Sequence, residues 1–358
     1  MEMLPSFSED DYSFLMESSY YLDTDIDPDQ PQPAINEYIH DNLRDLALIE
    51  QNLVRLASDQ RRQLNERPYQ VLLNLRKQKD MIQNYFALNT FSPYVNLFFD
   101  ITDAAKTNKY SDLKFLEALK KAMIQDDNFR KEIQQKRKAI SKNKQSLLRY
   151  IDSLFEYRSR LLVLRIDFSY QKDAGGFFDQ STDQSTEQST DKRIDLIFGA
   201  KKKDLLENWS IEVREQRNRL IKQLKKKYKK DLVGYVWKLE YGADKAFHYH
   251  MIFFLDESKH HQDIRIAESI GEMWKHEITN GRGIYWNCNA KKKHFEKNGR
   301  IATGKIKHDD QELRANLNHM ASYLTKPDYF VKLTLSDACR TFGKGGKPKK
   351  IKAGRPRN

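Results

Sequence analysis

Residues 236–255 read Val-Trp-Lys-Leu-Glu-Tyr-Gly-Ala-Asp-Lys-Ala-Phe-His-Tyr-His-Met-Ile-Phe-Phe-Leu, two strand-like stretches on either side of a turn-prone Gly-Ala-Asp-Lys. Because side chains alternate along a strand, His248 and His250 lie on one face and Tyr249 on the other. Two imidazoles about 7 Å apart along one face can hold one divalent cation. The stretch therefore predicts a β-hairpin whose second strand carries a pair of metal ligands.

A third metal ligand is available on the first of these strands. Glu240 lies eight residues before His248. A three-residue loop over 243–245 would place Glu240 opposite His248 on the same face of the hairpin. A loop of two or four residues would slip the register by one and point Glu240 away. Both registers remain open, so the role of Glu240 depends on the turn.

The balance of charges indicates a polyanionic partner. The chain has 358 residues, a formal net charge of +12 and a pI near 9.3. Residues 1–35 hold nine acidic side chains and no lysine or arginine, whereas residues 343–358 hold seven basic side chains and no acid. Such an excess and such an asymmetry favour contact with nucleic acid, although a merely charged soluble protein is the alternative.

The number of cysteines and the hydropathy of the sequence also indicate the cellular compartment. Two isolated cysteines, Cys288 and Cys339, exclude a disulfide framework and a zinc site of the Cys-x-x-Cys type, so a reducing cytoplasm is expected. The N-terminus lacks the basic and apolar regions of a secretory signal. No apolar run approaches the length of a membrane span, so no membrane contact is expected.

Changes in sequence pattern along the chain predict an α+β protein in four segments. These are an acidic disordered arm over 1–34, a helical region of unassigned role over 35–157, an α+β domain over 160–335 and a basic tail over 336–358. In the helical region, a helical stretch is expected to end at Pro93. In the α+β domain, strands are predicted over 161–170, 232–241, 247–255 and 284–287, and helices over 204–230, 264–278 and 310–325. This order favours an antiparallel sheet with helices on one face, close to the split βαβ plan.

The last predicted helix carries a candidate nucleophile. Four of its polar side chains are spaced three, four and three residues apart and form one stripe: Asn316, His319, Tyr323 and Lys326. An adjacent apolar stripe available for packing consists of Leu313, Leu317, Met320 and Leu324. A tyrosine hydroxyl has a pKa near 10, so Tyr323 needs assistance at neutral pH. Lys326 can stabilise the phenolate or the charge that develops on a phosphate.

These parts together suit the cleavage of a DNA strand. A divalent cation, Mg²⁺ or Mn²⁺, held by the two histidines and the glutamate can polarise a non-bridging phosphate oxygen. Attack by Tyr323 on the phosphodiester would then give a 5′-phosphotyrosine and a free 3′-hydroxyl. Each part alone also has a structural explanation, since surface histidines, solvated glutamates and Tyr-x-x-Lys helices are common. Their order within one α+β domain of a basic protein favours the catalytic interpretation.

Several motifs are shared with a known family. They are Leu164-Arg165-Ile166-Asp167, Phe247-His248-Tyr249-His250-Met251-Ile252-Phe253-Phe254-Leu255-Asp256, Gly281-Arg282-Gly283-Ile284-Tyr285-Trp286-Asn287, Tyr323-Leu324-Thr325-Lys326 and Arg340-Thr341-Phe342-Gly343. On these motifs, residues 161–346, roughly half of the chain, resemble the inovirus replication initiators and their prophage relatives of the YagK/YfjJ C-terminal type. More broadly, the segment resembles the His-hydrophobic-His (HUH) superfamily of rolling-circle initiators, relaxases and related transposases.

The resemblance implies an HUH endonuclease core of the RRM-like or ferredoxin-like kind. It also implies a metal at His248 and His250, an acidic third ligand at Glu240 and Tyr323 as the nucleophile. One departure is the tyrosine between the histidines, where the family pattern has a smaller aliphatic residue; we expect it to face away from the site.

A second departure concerns the number of nucleophiles. Only Tyr323 lies in the motif, because Tyr329 follows Pro327 and does not share the helical face. One nucleophile favours one nick and one joining step per copy over a two-tyrosine relay.

Contact with DNA is expected from two basic segments. The long helix predicted over 204–230 ends in Lys225, Lys226, Lys227, Lys229 and Lys230. In the tail, Gly-Arg-Pro-Arg resembles the core of an AT-hook, so Arg355 and Arg357 are candidates for a narrow A·T minor groove or for phosphates.

The sequence therefore predicts a rolling-circle replication initiator, a metal-dependent enzyme that nicks and rejoins one strand of single-stranded or cruciform origin DNA. A host helicase is a possible partner, and the oligomeric state is left open. The alternatives are a non-catalytic DNA-binding or regulatory protein of a prophage, and a relaxase or transposase that uses the same chemistry.

Overall fold

The structure is a computed structural model. It describes residues 36–61, 63–86, 89–171, 192–242, 246–292, 302–324, 331–333 and 340–348. Contacts divide these residues into two compact units. The first comprises the described residues up to Asn143 with Gly242 and Val331–Leu333, and the second comprises the rest from Lys144 onward. The acidic arm predicted over 1–34 and the tail beyond residue 348 lie outside the described residues.

The first unit consists of helices and a small two-stranded sheet. Its helices are α1 (Asn36–Ser58), α2 (Gln70–Tyr85), α3 (Pro93–Thr107), α4 (Asp112–Gln125) and the first part of α5 (Asp127–Tyr157). β1 (Asn89–Phe91) pairs antiparallel with β7 (Val331–Leu333). The apolar stripe along α1 is enclosed, with Leu46, Ile49, Leu53 and Leu56 fully buried. The periodicity of apolar residues thus predicts the first helix, but it does not predict the three-residue strand β1.

Pro93 begins a helix, and the prediction that it ends one is wrong. The N-cap of α3 is Ser92, whose Oγ accepts a hydrogen bond from the backbone N–H of Val95 at 3.3 Å. Proline is favoured at the first helical position because an N–H there would have no partner within the helix. Serine is a favoured N-cap for a related reason, since its hydroxyl satisfies one of the free N–H groups. The dipeptide Ser92-Pro93 is therefore a start signal.

The second unit is built around an antiparallel sheet. Its strands are β2 (Arg160–Tyr170), β3 (Leu232–Gly242), β4 (Ala246–Asp256), β5 (Gly283–Asn287), β6 (Gly304–Lys307) and β8 (Phe342–Lys344). In space they lie in the order β5-β2-β4-β3-β8, and β6 also pairs with β2. All four predicted strands are confirmed to within one residue at each end. β6 and β8 are not predicted, because three or four residues containing glycine and lysine show no clear alternation.

Helices cover both faces of this sheet. On one face, α6 (Lys192–Tyr228) contributes Trp209, and a π-helical turn that continues α7 (Asp263–Glu272) contributes Trp274. The rings of these two tryptophans lie 5.3 and 5.6 Å from the ring of Tyr170 on β2.

The opposite face packs against the end of α5 and against α8 (Gln311–Tyr323). The buried apolar residues of this layer include Leu154, Val163, Ile252, Phe254, Leu317, Ala321 and Leu324. The prediction of helices on a single face is therefore wrong. The physical reason is that the start of β2 is apolar on both sides, with Leu161, Leu162, Val163 and Leu164 all fully buried, so each face needs a cover.

Membrane-spanning helices are not found in the part of the chain that the structure describes: no helix there combines the length and the apolar character that a crossing requires.

Gly271 of α7 allows the ring of Tyr285 on β5 to lie against the helix backbone. A methyl group at this position would lie 2.1–2.4 Å from three ring atoms of Tyr285. The ring is held in place, because the Tyr285 hydroxyl donates a hydrogen bond to Glu272 Oε1 at 2.7 Å. We expect Gly271→Ala to lower the free energy of unfolding by about 1–3 kcal/mol, the usual cost of overpacking. The better helix propensity of alanine, about 1 kcal/mol, offsets only part of this cost.

Urea unfolding followed by far-ultraviolet circular dichroism measures the effect. In the background Tyr285→Ala, where the ring is absent, Gly271→Ala should cost nothing further. A Gly271→Ala protein as stable as the wild type would contradict the close packing of helix and ring.

Candidate metal centre

The hairpin of β3 and β4 brings two histidines and a glutamate together. β3 ends at Gly242 and β4 begins at Ala246, so three residues separate the strands. Glu240 Oε2 lies 3.4 Å from His248 Nε2 and 3.6 Å from His250 Nε2. One potential ligand atom from each of the three side chains lies within 4.8 Å of the other two. Of the two registers that the sequence leaves open, the structure has the one that places all three side chains on one face.

A fourth side chain completes the cluster. Asp167 on β2 is the cross-strand partner of His250, and its Oδ1 lies 2.9 Å from His250 Nδ1. His250 is therefore held between two carboxylates, with Nδ1 toward Asp167 and Nε2 toward Glu240. Asp167 belongs to the motif Leu164-Arg165-Ile166-Asp167, but the alternation of side chains along β2 does not show whether its carboxylate lies on the same face of the sheet as the histidines. That face follows only from the pairing of β2 with β4.

Within the part of the chain that the structure describes, several polar atoms of the cluster are buried and have no hydrogen-bond partner. They are Glu240 Oε1, Asp167 Oδ1 and both ring nitrogens of His250. The 2.9 Å approach of Asp167 Oδ1 to His250 Nδ1 is a close contact between groups of opposite charge. Buried polar atoms are rarely left in this state, because each costs free energy unless it is satisfied.

A divalent cation fits this donor set. Ligand atoms about 2.1 Å from an ion at tetrahedral angles are roughly 3.4 Å apart, and the distances from Glu240 Oε2 to the two imidazoles are 3.4 and 3.6 Å. Two imidazoles with a carboxylate are a common ligand set for first-row divalent metals. His250 is almost fully buried and His248 and Glu240 are half-buried, so the cluster is enclosed on one side and accessible on the other.

The electrostatics of the cluster are those of carboxylates beside a positive charge. Burial by itself would raise the pKa of Asp167, but the charges on His250 and Arg165 outweigh burial and lower this pKa to about 2. Burial likewise raises the pKa of Glu240, and the two imidazoles lower it well below its usual value. For His250, burial lowers the pKa, whereas Asp167 and Glu240 raise it to about 9. Both carboxylates are thus ionised at neutral pH, and a metal ion that bound His250 would displace the proton from its ring.

Tyr249 points away from the cluster, as the alternation along β4 predicts. It is fully buried on the opposite face of the sheet. Its ring lies 6.1 Å from the ring of Trp237 and 6.4 Å from that of Trp274, and the guanidinium of Arg217 lies 5.7 Å from its centroid. The large side chain of Tyr249 therefore does not occupy the space between the candidate ligands.

The helix of the candidate nucleophile packs on the face of the sheet that carries the cluster. Leu317, Ala321 and Leu324 are buried against it, and Leu313 and Met320 are partly buried there, so the predicted apolar stripe of this helix is confirmed. Tyr323 is the last residue of α8. The side chain of Tyr323 and the whole of Lys326 lie outside the described residues, and their roles stay predictions.

The predicted DNA-contacting lysines lie at the end of α6. Lys225, Lys226 and Lys227 form its last turn, and Lys229 and Lys230 lie in the 3-10 turn that follows. All five are exposed, and Lys227 Nζ lies 3.0 Å from Ser269 Oγ. Arg355 and Arg357 lie outside the described residues.

Comparison with known families gives a match over most of the second unit. Residues 122–345, well over half of the chain, match the model of the YagK/YfjJ C-terminal domain. The chain belongs to this family. The YagK/YfjJ domain begins within α4 and so includes all of α5 as well as the sheet, the candidate ligands and α8. No curated protein and no solved structure gives a significant match.

Proposed function

We propose that this protein is a replication initiator of the rolling-circle type, which nicks and rejoins one DNA strand with the help of a divalent cation. The observation that carries the proposal is the partly buried cluster of Glu240, His248 and His250, several of whose polar atoms have no hydrogen-bond partner among the described residues. The proposal also uses Tyr323, which ends the helix packed on the same face of the sheet.

The topology of the sheet supports an HUH-like core. Along the chain the elements follow the order β2, α6, β3, β4, α7, β5, and in space the four strands lie in the order β5-β2-β4-β3. The fourth strand is thus beside the first, and the third lies between the first and the second. This is the order of the split βαβ plan. The two central strands, β2 and β4, carry Asp167 and the histidines.

The proposed chemistry assigns a task to each side chain. His248, His250 and Glu240 would hold the cation, and Asp167 would fix the ring orientation of His250, as carboxylates commonly do for metal-binding imidazoles. A bound cation would polarise a non-bridging oxygen of the scissile phosphate. The Tyr323 oxygen forms a bond to phosphorus and loses its proton, while the bond to the 3′ oxygen breaks and that oxygen takes up a proton. The reverse step, with a 3′-hydroxyl as the attacking group, rejoins the strand.

The donor set favours Mn²⁺ over Mg²⁺. Mg²⁺ prefers oxygen ligands and retains several waters, whereas Mn²⁺ is a first-row transition metal and accepts imidazole ligands more readily than Mg²⁺ does. Two of the three proposed ligands are imidazoles, so Mn²⁺ should support the reaction at a lower concentration than Mg²⁺ does.

A labelled-strand assay tests the proposal. Single-stranded oligonucleotides that tile both strands of the DNA flanking the gene are incubated with the protein and Mn²⁺ and resolved on a denaturing gel. Because the tyrosine would become joined to the 5′ phosphate, a label at the 3′ end should move with the protein and a label at the 5′ end should not. EDTA should prevent the reaction.

The outcome also separates the alternative functions. DNA binding without any adduct, on every oligonucleotide and with either cation, would favour a non-catalytic regulatory protein. An adduct formed equally well on unrelated sequences would argue against a site-specific initiator.

A further inference from the structure

We infer that Trp286 is a stacking platform for a nucleobase of single-stranded DNA beside the candidate metal centre. This inference rests on the proposed function, because it assigns the DNA segment next to the scissile phosphate. Trp286 lies on β5, an edge strand of the sheet in the part of the chain that the structure describes.

Trp286 belongs to a row of side chains that crosses the sheet to the cluster. It is the cross-strand partner of Asp167, and Asp167 is in turn the partner of His250. Directly opposed residues share a face, so the indole lies on the face that carries the candidate ligands. Two strand spacings separate Trp286 from His250, which places their backbones roughly 10 Å apart. A strand whose phosphate lies at the cluster can therefore extend over the indole.

The exposure of Trp286 sets it apart from the other tryptophans. Trp209, Trp237 and Trp274 are buried in the core of the second unit, whereas Trp286 is only half-buried. Two residues earlier on the same face, Ile284 is 44 % exposed. The strand thus exposes apolar surface to solvent beside a charged cluster. A nucleobase stacks on such a surface through the face of its ring.

The opposite side of β5 is anchored. Tyr285 faces the other way, against Gly271, and is hydrogen-bonded to Glu272. Because this anchor holds β5 against α7, the indole of Trp286 is presented on a fixed strand.

A positive charge accompanies the indole. Lys291, at the end of the 3-10 turn Cys288–Lys291 that follows β5, places its Nζ 5.1 Å from the centroid of the Trp286 ring. An aromatic ring with an adjacent ammonium group is the combination used to bind single strands, since the ring stacks on a base and the cation pairs with a phosphate. Bases inside a duplex are stacked on each other and do not offer a free face, so the platform selects unpaired DNA.

The test measures binding without cleavage. In EDTA and at fixed ionic strength, the affinity for a fluorescein-labelled oligothymidylate is measured by fluorescence anisotropy. Trp286→Ala should weaken binding about 5- to 150-fold, the range found for loss of one stacked base. Trp286→Phe keeps a ring and should bind nearly as tightly as the wild type. Tyr241→Phe, which keeps a ring packed against Phe247 on the opposite face of the sheet, is the matched control and should bind like the wild type.

Tryptophan fluorescence gives a second readout. Unlabelled oligothymidylate should quench the emission of the wild-type protein, and Trp286→Phe should bind the DNA without this quenching. This variant keeps the inference testable if Trp286→Ala fails to fold.

Four results would contradict a stacking role for Trp286. Unchanged affinity of Trp286→Ala, quenching that persists in Trp286→Phe, equal affinity for duplex DNA, or tighter binding of an RNA oligonucleotide would each overturn it. Because no nicking is required, loss of the quenching in Trp286→Phe supports the platform even if no covalent adduct is ever found, so failure of the proposed function is recognised separately.

Discussion

Replacing Tyr323 by phenylalanine is expected to abolish the covalent protein–DNA adduct, with a fall in its rate of formation of at least about 1,000-fold. Phenylalanine keeps the ring and the helix but lacks the oxygen that would bond to phosphorus. Because Tyr323 is the last residue of α8 and precedes the buried Leu324, the change should leave the packing of the helix intact. Adduct formation with 3′-labelled oligonucleotide in Mn²⁺ measures the effect.

The controls for this prediction come from binding and from a second tyrosine. Tyr323→Phe should bind single-stranded DNA with unchanged affinity, since the nucleophile is needed for bond formation and not for binding. Tyr329→Phe, a change beyond Pro327, should form the adduct at the wild-type rate. An adduct that persists in Tyr323→Phe and disappears in Tyr329→Phe would transfer the nucleophile to Tyr329 and would refute the assignment made from the motif.

The sheet that carries the site follows closely from sequence patterns. Alternation of polar and apolar residues predicts β2, β3, β4 and β5 because each strand is long enough to show its period. The apolar stripe of α8 is predicted for the same reason. By contrast, β6 and β8 are too short to show any period. A proline can follow the end of one helix or begin the next, so Pro93 alone does not show where the helix lies.

The site itself is predicted less completely. The pair His248 and His250 is visible in the sequence because both ligands lie on one strand. The position of Glu240 depends on the length of a turn, which side-chain patterns do not fix. Asp167 and Trp286 both belong to sequence motifs. That they lie on the same face of the sheet as His250 follows only from the pairing of strands that are distant in the chain. Contacts between residues on such strands can be identified only from a three-dimensional structure.

Binding of Mn²⁺ is expected to stabilise the folded protein, and loss of any one proposed ligand should remove most of that effect. A ligand that binds only the native state, at 100 times its dissociation constant, stabilises it by about 2.7 kcal/mol. For a unit of this size such a gain corresponds to a rise in Tm of several degrees. Differential scanning calorimetry with and without Mn²⁺ measures this shift, which should largely disappear in Glu240→Gln and in His250→Ala.

Two further variants show whether the shift comes from this cluster. Asp167→Asn keeps the three proposed ligands but loses the carboxylate beside His250, so the affinity for Mn²⁺ should fall about 10- to 100-fold without vanishing. Asp256→Asn is the matched control, because Asp256 lies on β4, the strand of the two histidines, but pairs with Arg158 at 2.8 Å. That variant should melt at a lower temperature than the wild type and yet show the full shift with Mn²⁺. An equal shift in the wild type and in His250→Ala would place the cation elsewhere, and the nicking mechanism would lose its metal centre.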